Sequence, residues 1–253
     1  MPATARLPAL AALTALAALT ALAAATGSAR AADRPDLAQV TRLVVEQTNA
    51  FRREQGARAT APNATLAATA QGFAEYMART DRYGHGADGR QPGQRAGAQG
   101  YAYCLVSENI AYQFSSAGFR ADDLAQRLVG AWKRSPTHRH NMLDPDATET
   151  GVAIAQSPRT GRYYAVQMFG RPQALRIAFR IANRSSAPLR YELGGERFQL
   201  PPRVTRTHEQ CRAEVLTMQL PGEDEPTRIE PRDGELFAVE RAGGRYRLAR
   251  ADS

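Results

Sequence analysis

The sequence predicts an α+β fold for residues 36–172 and a small all-β domain for residues 173–253. In the first region, apolar residues recur at helical spacing in three stretches before two strand-like runs appear. In the second region, short runs alternate apolar and polar residues and are separated by Gly and Pro. The chain has 253 residues, of which 43% are apolar, and this is enough for one or two domains with a real core.

The N-terminal 31 residues have the layout of a secretory signal peptide. Arg6 precedes an uncharged run at positions 7–25, and the small residues Ala29 and Ala31 follow, which predicts cleavage after Ala31. A membrane anchor is the alternative, but the run is rich in Ala and only weakly apolar. We therefore expect a secreted or periplasmic protein whose mature chain has no transmembrane segment.

The mature chain begins with helical patterns. Apolar spacing predicts a helix over residues 36–55, with Pro35 in its first turn and Gly56 at its end. A second helix is predicted over 63–80, with Asn63 as its N-cap. Six Gly between positions 81 and 103 predict a long loop, with a helical turn near 94–98. A third helix over 121–134 and a hairpin of strands at 151–156 and 163–169 complete this region.

Beyond residue 172 the pattern is one of short strands. They are predicted at 175–182, 189–193, 196–200, 214–220, 235–239 and 246–248, which indicates a small β-sandwich. The chain has two cysteines, Cys104 and Cys211, and an exported protein with an even number of cysteines can form a disulfide. We favour this bridge over two free buried thiols, and it would tie the β domain to the first domain.

The charge of the chain raises the question of nucleic-acid binding. The net charge is +8, and it falls to +6 if Arg6 and Arg30 leave with the signal peptide. Every basic residue except Lys133 is arginine, and no stretch interleaves aromatic residues with clustered Arg. We therefore do not expect nucleic acid as a partner.

Three residues could carry chemistry, namely His85, Glu108 and His138, although no spacing rule by itself brings their segments together. Two neutral imidazoles and a carboxylate, with water in the fourth position, would suit zinc. Without a metal, the same groups could act as acid and base near neutral pH. A structural role is the alternative, in which Glu108 locks a loop and the histidines are its partners. The sequence offers no persuasive nucleophile, although Ser107 and Ser135 are close to these residues in sequence.

Other polar and aromatic residues have plainer interpretations. We expect Asn49 to bond a turn within the core and Trp132 to be packed in the core. His140 is expected at the surface, and His208 is expected to be a solvated residue at the end of a strand.

Several motifs follow one another in an order that is typical of one family. They are Thr48-Asn49-Ala50-Phe51-Arg52, His85 with Asp88-Gly89-Arg90, Glu108-Asn109-Ile110-Ala111, Trp132 with Ser135-Pro136, His138-Arg139, Asn141-Met142-Leu143, Gly151-Val152-Ala153-Ile154 and Gln167-Met168-Phe169-Gly170. Together they resemble the bacterial type of the CAP superfamily, also called SCP, of cysteine-rich secretory proteins, antigens and pathogenesis-related proteins. The resemblance implies that residues 36–172 form a three-layer α-β-α sandwich with a central cleft.

The resemblance also implies a site. His85 and His138 match two histidines that line the cleft and bind a divalent metal in some members, with zinc as the expected ion. Glu108 matches the first acidic residue of the cleft. Ser135 occupies the place where many eukaryotic members have a second acidic residue, so a complete four-residue site is not expected. Ser135 and Asn109 are the further ligand contacts we expect.

Three functions compete at this point. The first is a binding module for a divalent metal, a lipid or small apolar ligand, or an envelope protein. The second is a secreted, protease-like hydrolase in which His85, Glu108 and His138 are catalytic. The third is a structural or docking role in the cell envelope, served by the β domain. The missing nucleophile and second acid favour the first function, so the sequence leans away from an enzyme.

Overall fold

The structure is a computed structural model, and it describes Met1 and residues 34–251. The predicted cleavage site and nearly all of the predicted signal peptide therefore lie outside the described residues. The helices of the described part are α1 (Leu37–Glu54), α2 (Ala64–Thr80), α3 (Pro92–Ala98), α4 (Ala121–Arg134) and α5 (Pro136–Leu143), with a 3-10 turn at Gln173–Leu175. The strands of the first region are β1 (Ala61–Pro62), β2 (Tyr103–Gln113), β3 (Glu149–Gln156) and β4 (Tyr163–Pro172).

The first region is a three-layer sandwich around one sheet, as expected. The strand order is β1-β3-β4-β2, with β4 antiparallel to both β2 and β3 and with β1 parallel to β3. Successive side chains point to opposite faces of a strand. Val152 and Ile154 therefore pack in the cluster that contains α1 and α4, and Ala153 and Ala155 pack in the cluster that contains α2 and α3. Both faces of the sheet are thus covered by helices.

The first two helices begin at the caps that the sequence provides. The Asp36 side chain accepts a hydrogen bond from the Ala38 amide at 2.9 Å, so α1 starts just after it and Pro35 lies before the cap. The predicted Asn63 cap is confirmed, because its side chain accepts from the Leu66 amide at 3.0 Å. The chain leaves α1 through Gly56, whose φ of +78° suits glycine.

Two elements of the first region do not follow from the apolar pattern. Strand β2 shows no alternation of polar and apolar residues because both of its faces are buried, and Glu108 and Asn109 are adjacent buried polar residues within it. Helix α5 is short and has one buried residue, Met142, so an amphipathic pattern has no length in which to appear. The predicted loop at 81–103 contains α3, which is longer than the expected helical turn.

The second region is the predicted β-sandwich. Its strands are β5 (Ile177–Asn183), β6 (Leu189–Leu193), β7 (Glu196–Leu200), β8 (Thr205–Gln210), β9 (Leu216–Gln219), β10 (Thr227–Ile229), β11 (Leu236–Ala242) and β12 (Arg245–Ala251). They form two four-stranded sheets of order β10-β9-β6-β7 and β12-β11-β5-β8. The sheets share a core that includes Phe179, Ile181, Tyr191 and Phe237. Strands β8 and β10 were not predicted, because β8 is polar and β10 has only three residues.

A disulfide and ion pairs join the two regions. The expected disulfide is present between Cys104 and Cys211, with 5.2 Å between the Cα atoms. Next to it, the Arg212 guanidinium binds both carboxylate oxygens of Asp144 at 2.8 and 2.7 Å, and it also contacts Asp146 at 3.1 Å. No helix in residues 34–251 has the length and apolar character needed to cross a membrane.

Candidate functional site

The candidate site is built on β2, which is an edge strand of the central sheet. Because side chains alternate along a strand, Glu108 faces the layer of α2 and α3, and Asn109 faces the layer of α4 and α5. Both side chains are buried. The site can therefore draw on residues from both helical layers, which meet at the outer edge of β2.

Arg95 of α3 holds the Glu108 carboxylate. One guanidinium nitrogen of Arg95 lies 3.0 Å from Oε1 and 2.8 Å from Oε2 of Glu108. The other nitrogen binds Asp88 Oδ1 at 2.8 Å, and the guanidinium lies 3.6 Å from the centre of the Phe73 ring. Both charged side chains are withdrawn from water, with exposed fractions of 6% for Arg95 and 0% for Glu108. Burial makes this a strong constraint on the carboxylate.

His85 is oriented by the same carboxylate. Its Nδ1 lies 2.8 Å from Glu108 Oε1, and its backbone carbonyl accepts from Arg95 at 2.9 Å. A carboxylate accepts a hydrogen bond, so Nδ1 carries a proton, and Nε2 has a lone pair whenever the ring carries no second proton. The His85 side chain is 45% exposed, and no hydrogen bond in the described part of the chain engages Nε2. The Nε2 atom is therefore available to an external ligand.

His138 faces His85 from the opposite helical layer. The two ring centres are 6.3 Å apart, with 50° between the ring planes. Burial lowers the pKa of His138, and the nearby charge of a protonated His85 lowers it further. The neutral form of His138 is thereby favoured at neutral pH. The two imidazoles are close enough to contact one small ligand between them.

The position of His138 depends on two buried amides. Asn109 Nδ2 donates to the His138 carbonyl at 3.1 Å. Asn141 Nδ2 donates to Asn109 Oδ1 at 2.9 Å and to the Glu108 carbonyl at 3.2 Å. These bonds tie α5 to the edge of β2. Asn109, expected as a ligand contact, is fully buried and positions His138 in this way.

The edge of β2 is covered next to the site. The Ile110 carbonyl accepts from Trp132 Nε1 at 3.0 Å and from the Tyr83 hydroxyl at 3.2 Å. Tyr83 packs edge-on against Tyr112, with 5.1 Å between ring centres, and burial raises the pKa of its hydroxyl. Tyr83, Tyr112 and Phe114 are nevertheless among the exposed large side chains, with exposed fractions of 47%, 43% and 58%. They form what we call the aromatic rim, which begins two residues before His85.

The structure thus brings His85, Glu108 and His138 to one place, and it gives them unequal roles. Both Glu108 oxygens accept hydrogen bonds from Arg95, and one also contacts His85. The carboxylate therefore orients His85 and does not face the cleft. Ser135 starts α5 and makes no side-chain hydrogen bond to either histidine. Ser107 Oγ is buried and has no partner in the described residues. Neither Ser107 nor Ser135 is accordingly activated by a histidine.

The fit of the site to a metal can be judged from its donors. Among residues 34–251, no three His, Cys, Asp or Glu side chains are grouped so as to hold a metal ion. His85 Nε2 and the His138 ring are two nitrogen donors of the kind that zinc accepts. They suit an ion that is held by two protein ligands and whose remaining positions are open.

Sequence reasoning missed Arg95, because a single arginine in a glycine-rich segment carries no distinctive signal. It placed Trp132 correctly in the core and His140 correctly at the surface. Asn49 bonds both the amide and the hydroxyl of Thr60, as expected for a core turn. The interpretation of His208 as a solvated residue is wrong, because it is 9% exposed and lies 2.6 Å from the Tyr191 hydroxyl. His208 lies within β8 and its side chain points into the sandwich, which the sequence pattern alone does not reveal.

Comparison with known proteins adds to this geometry. Residues 45–169 match the family model CAP, described as the cysteine-rich secretory protein family. The chain is 29% identical over 129 residues to the uncharacterized protein YkwD of Bacillus subtilis (strain 168), a match that covers 51% of this chain. The match covers 46% of that relative, so the chain spans about half of its length.

Solved structures are similar at low identity. An outer surface protein from Borrelia burgdorferi gives a TM-score of 0.48 at 19% identity, covering 55% of this chain and 96% of that chain. An extracellular protein containing an SCP domain from Bacillus anthracis gives a TM-score of 0.44 at 23% identity, covering 52% of this chain and 40% of that chain. On the family match and the fold described above, residues 45–169 belong to the CAP family of cysteine-rich secretory proteins, and a C-terminal β-sandwich follows this region.

Proposed function

We propose that this protein is an exported binding module whose ligand contacts His85, His138 and the aromatic rim. The observation that carries the proposal is the arrangement of Arg95, Glu108 and His85. A buried ion pair fixes one carboxylate, and the carboxylate in turn fixes the proton of His85 on Nδ1. This leaves Nε2 as a ready acceptor or metal ligand beside a second, predominantly neutral imidazole.

The first species that we propose to bind is a divalent metal ion. His85 and His138 would hold it, and Glu108 would increase the basicity of His85 from behind. Zinc is the ion that best suits two imidazoles. When bound, such an ion would supply an electrophilic centre with open positions for water or for an oxygen of a second ligand.

The second species that we propose to bind is an apolar molecule, which would lie against the aromatic rim. Exposed rings at Tyr83, Tyr112 and Phe114 are costly to leave in water and are typical of surfaces that bind apolar molecules. Arg162 lies 5.0 Å from the centre of the Tyr112 ring and adds a cation beside it. A lipid-like molecule with an anionic head group fits this combination of rings and charge.

Export of the protein is part of the same proposal. The N-terminal sequence pattern supports it, and so does the Cys104–Cys211 disulfide, because disulfides persist outside the reducing cytosol. Mass spectrometry of the protein recovered outside the cytoplasm should show a mature N-terminus at Ala32. A chain that still begins at Met1 there would contradict the proposed cleavage.

The metal site can be tested by calorimetric titration with zinc chloride at about pH 7.5, where an imidazole of ordinary pKa is neutral. We expect the protein to bind one equivalent and the His85→Ala/His138→Ala double variant to lose binding. His140→Ala is the matched control, since His140 is exposed, lies on α5 like His138, and contacts neither His85 nor His138. Equal binding by the double variant and the wild type would rule out this site.

The aromatic rim can be tested separately with a fluorescent polyene fatty acid. Tyr83→Ser and Phe114→Ser should each weaken binding of this probe, because each removes an exposed ring. Leu175→Ser is the control, since Leu175 is similarly exposed at 44% but lies in the 3-10 turn after β4. Loss of affinity in the control alone, or in none of the variants, would argue against the rim as the ligand surface.

A further inference from the structure

A second cleft lies between the CAP region and the β-sandwich. It has a volume of about 620 Å³, within the range of ligand pockets. One wall is the start of β2, and the other comprises the end of β8 and the turn between β6 and β7. The Cys104–Cys211 disulfide crosses its floor between the two walls. The residues that line the cleft include Val106, Glu196, Glu209, Gln210, Arg212 and Glu214.

Both walls of this cleft are sheet edges. Strand β2 is the last strand of the central sheet, and β8 is the last strand of one sandwich sheet. An edge strand presents main-chain groups that a further strand can pair with. Side-chain donors from Asn141, Trp132 and Tyr83 occupy the outward carbonyls of Glu108 and Ile110.

The edge of β2 is open where it enters the cleft. Residues two apart on an antiparallel strand turn their main-chain groups the same way, so Val106 faces outward like Glu108. Within the described part of the chain, no side chain donates to the Val106 carbonyl. Val106 lines the cleft, two residues from the carboxylate of the first site.

Gln210 on the opposite wall has a buried donor without an acceptor. Its side-chain oxygen accepts from the Glu214 amide at 3.1 Å, but its Nε2 has no partner in the described residues. The residue is 7% exposed. Buried polar groups in native proteins are nearly always paired, and Gln210 lines the cleft, so a turn of its side chain toward the cleft would give Nε2 an acceptor such as a peptide carbonyl.

The charge of the cleft restricts the ligand further. Glu196, Glu209 and Glu214 all line it, and the one arginine there, Arg212, is bound by Asp144 and Asp146. Glu209 also contacts Arg176 at 3.2 Å, but this pair is exposed and weakly held. The cleft therefore favours a ligand that brings positive charge.

We propose that this cleft binds an extended polypeptide segment with basic side chains, which pairs with the open edge of β2 and accepts a hydrogen bond from Gln210. Main-chain pairing supplies affinity that does not depend on sequence, and the glutamates select basic residues at alternate positions. The β-sandwich would then serve to hold a protein partner next to the first site. This inference does not depend on the metal or apolar ligand proposed above.

The test uses a short labelled peptide in which valine alternates with arginine and threonine, and fluorescence anisotropy reports its binding to the mature protein. Two altered peptides accompany it, one with glutamate in place of arginine and one N-methylated at alternate amides. We expect the first peptide to bind and each altered peptide to bind at least about tenfold more weakly, since each loses charge contacts or main-chain hydrogen bonds.

Protein variants locate the contact. Gln210→Leu and Val106→Pro should each weaken binding about tenfold, because each removes one donor or pairing group. Proline is tolerated where an edge amide faces outward, and the altered peptides keep the test decisive if this variant does not fold. Gln199→Leu, on the exposed face of β7, should leave binding unchanged. No binding of the first peptide, or equal binding by the N-methylated peptide or by Gln210→Leu, would overturn the proposal.

Discussion

Replacement of Arg95 by methionine would remove the cation that fixes the Glu108 carboxylate. Methionine keeps the apolar contact with the Phe73 ring, so the change isolates the loss of charge and hydrogen bonds. Arg95 makes two bonds to Glu108, one to Asp88 and one each to the carbonyls of His85 and Arg90. Both members of the ion pair are buried. Removing one partner of such a pair costs about 3–5 kcal/mol of unfolding free energy.

Urea and thermal unfolding, followed by circular dichroism, would measure this cost. For a domain of this size, about 3–5 kcal/mol corresponds to a fall in Tm of roughly 6–20 °C. The Arg95→Met/Glu108→Met double variant should recover much of the loss, because the fully buried carboxylate is removed and only Asp88, which is 17% exposed, loses its partner. Arg134→Met, at an exposed position at the end of α4, should change the unfolding free energy by less than about 0.5 kcal/mol.

A loss below about 1 kcal/mol in Arg95→Met would contradict the predicted cost of breaking a buried ion pair, since that is the size of an exposed ion pair. A double variant less stable than Arg95→Met would also contradict it. Such a result would mean that packing, not the unpaired carboxylate, dominates the cost. If the reasoning is correct, zinc affinity should fall in Arg95→Met along with stability, because His85 loses its fixed orientation.

Three further predictions concern stability. The Cys104→Ala/Cys211→Ala variant should lose about 4–5 kcal/mol of unfolding free energy in urea titrations, because the bridge closes a loop with a sequence separation of 107. Burial, and then the charge of Arg206, lower the pKa of His208, so its stability contribution is present above about pH 6.5 and is lost as pH falls below it. Hydrogen bonds from Thr160, and then from Arg159, lower the pKa of Asp81 to about 2, so stability should fall between about pH 4 and pH 2.

Matched variants distinguish these effects from general acid sensitivity. The His208→Phe/Tyr191→Phe double variant removes the buried contact between the imidazole and the hydroxyl. The Tm of this variant should depend less on pH between about 7 and 5 than that of the wild type. Asp81→Asn should likewise flatten the Tm profile at the acidic end only. An unchanged dependence of Tm on pH in either variant would show that the substituted residue does not cause it. Full stability of the cysteine variant would show that the disulfide does not add to the free energy of unfolding.

Several features of the site were predictable from sequence alone. The order of short motifs around His85, Glu108 and His138 is distinctive, so their proximity could be expected before any coordinates. The Asn63 cap of α2 and the apolar spacing of α2 and α4 place those helices almost to the residue. The two cysteines allowed one intramolecular bridge, and it is present.

Other features depended on contacts between distant residues. Glu108 and His85 meet only because β2 lies at the edge of the sheet, next to the segment that follows α2. Strand β2 itself has no clear pattern, since its buried polar residues are paired by side chains from other elements. Arg95 became part of the site through the packing of α3 on Phe73 and β2, which no local signal records.

The amino-acid sequence by itself determined the family, the helices and the histidine pair, because these follow from local spacing and from motifs read along the chain. The tertiary structure alone decided that Glu108 orients His85 under the control of Arg95. It also decided that Gln210 and Val106 of β2 line the same cleft. Burial and strand pairing produce both arrangements, and these depend on residues that are far apart in the sequence.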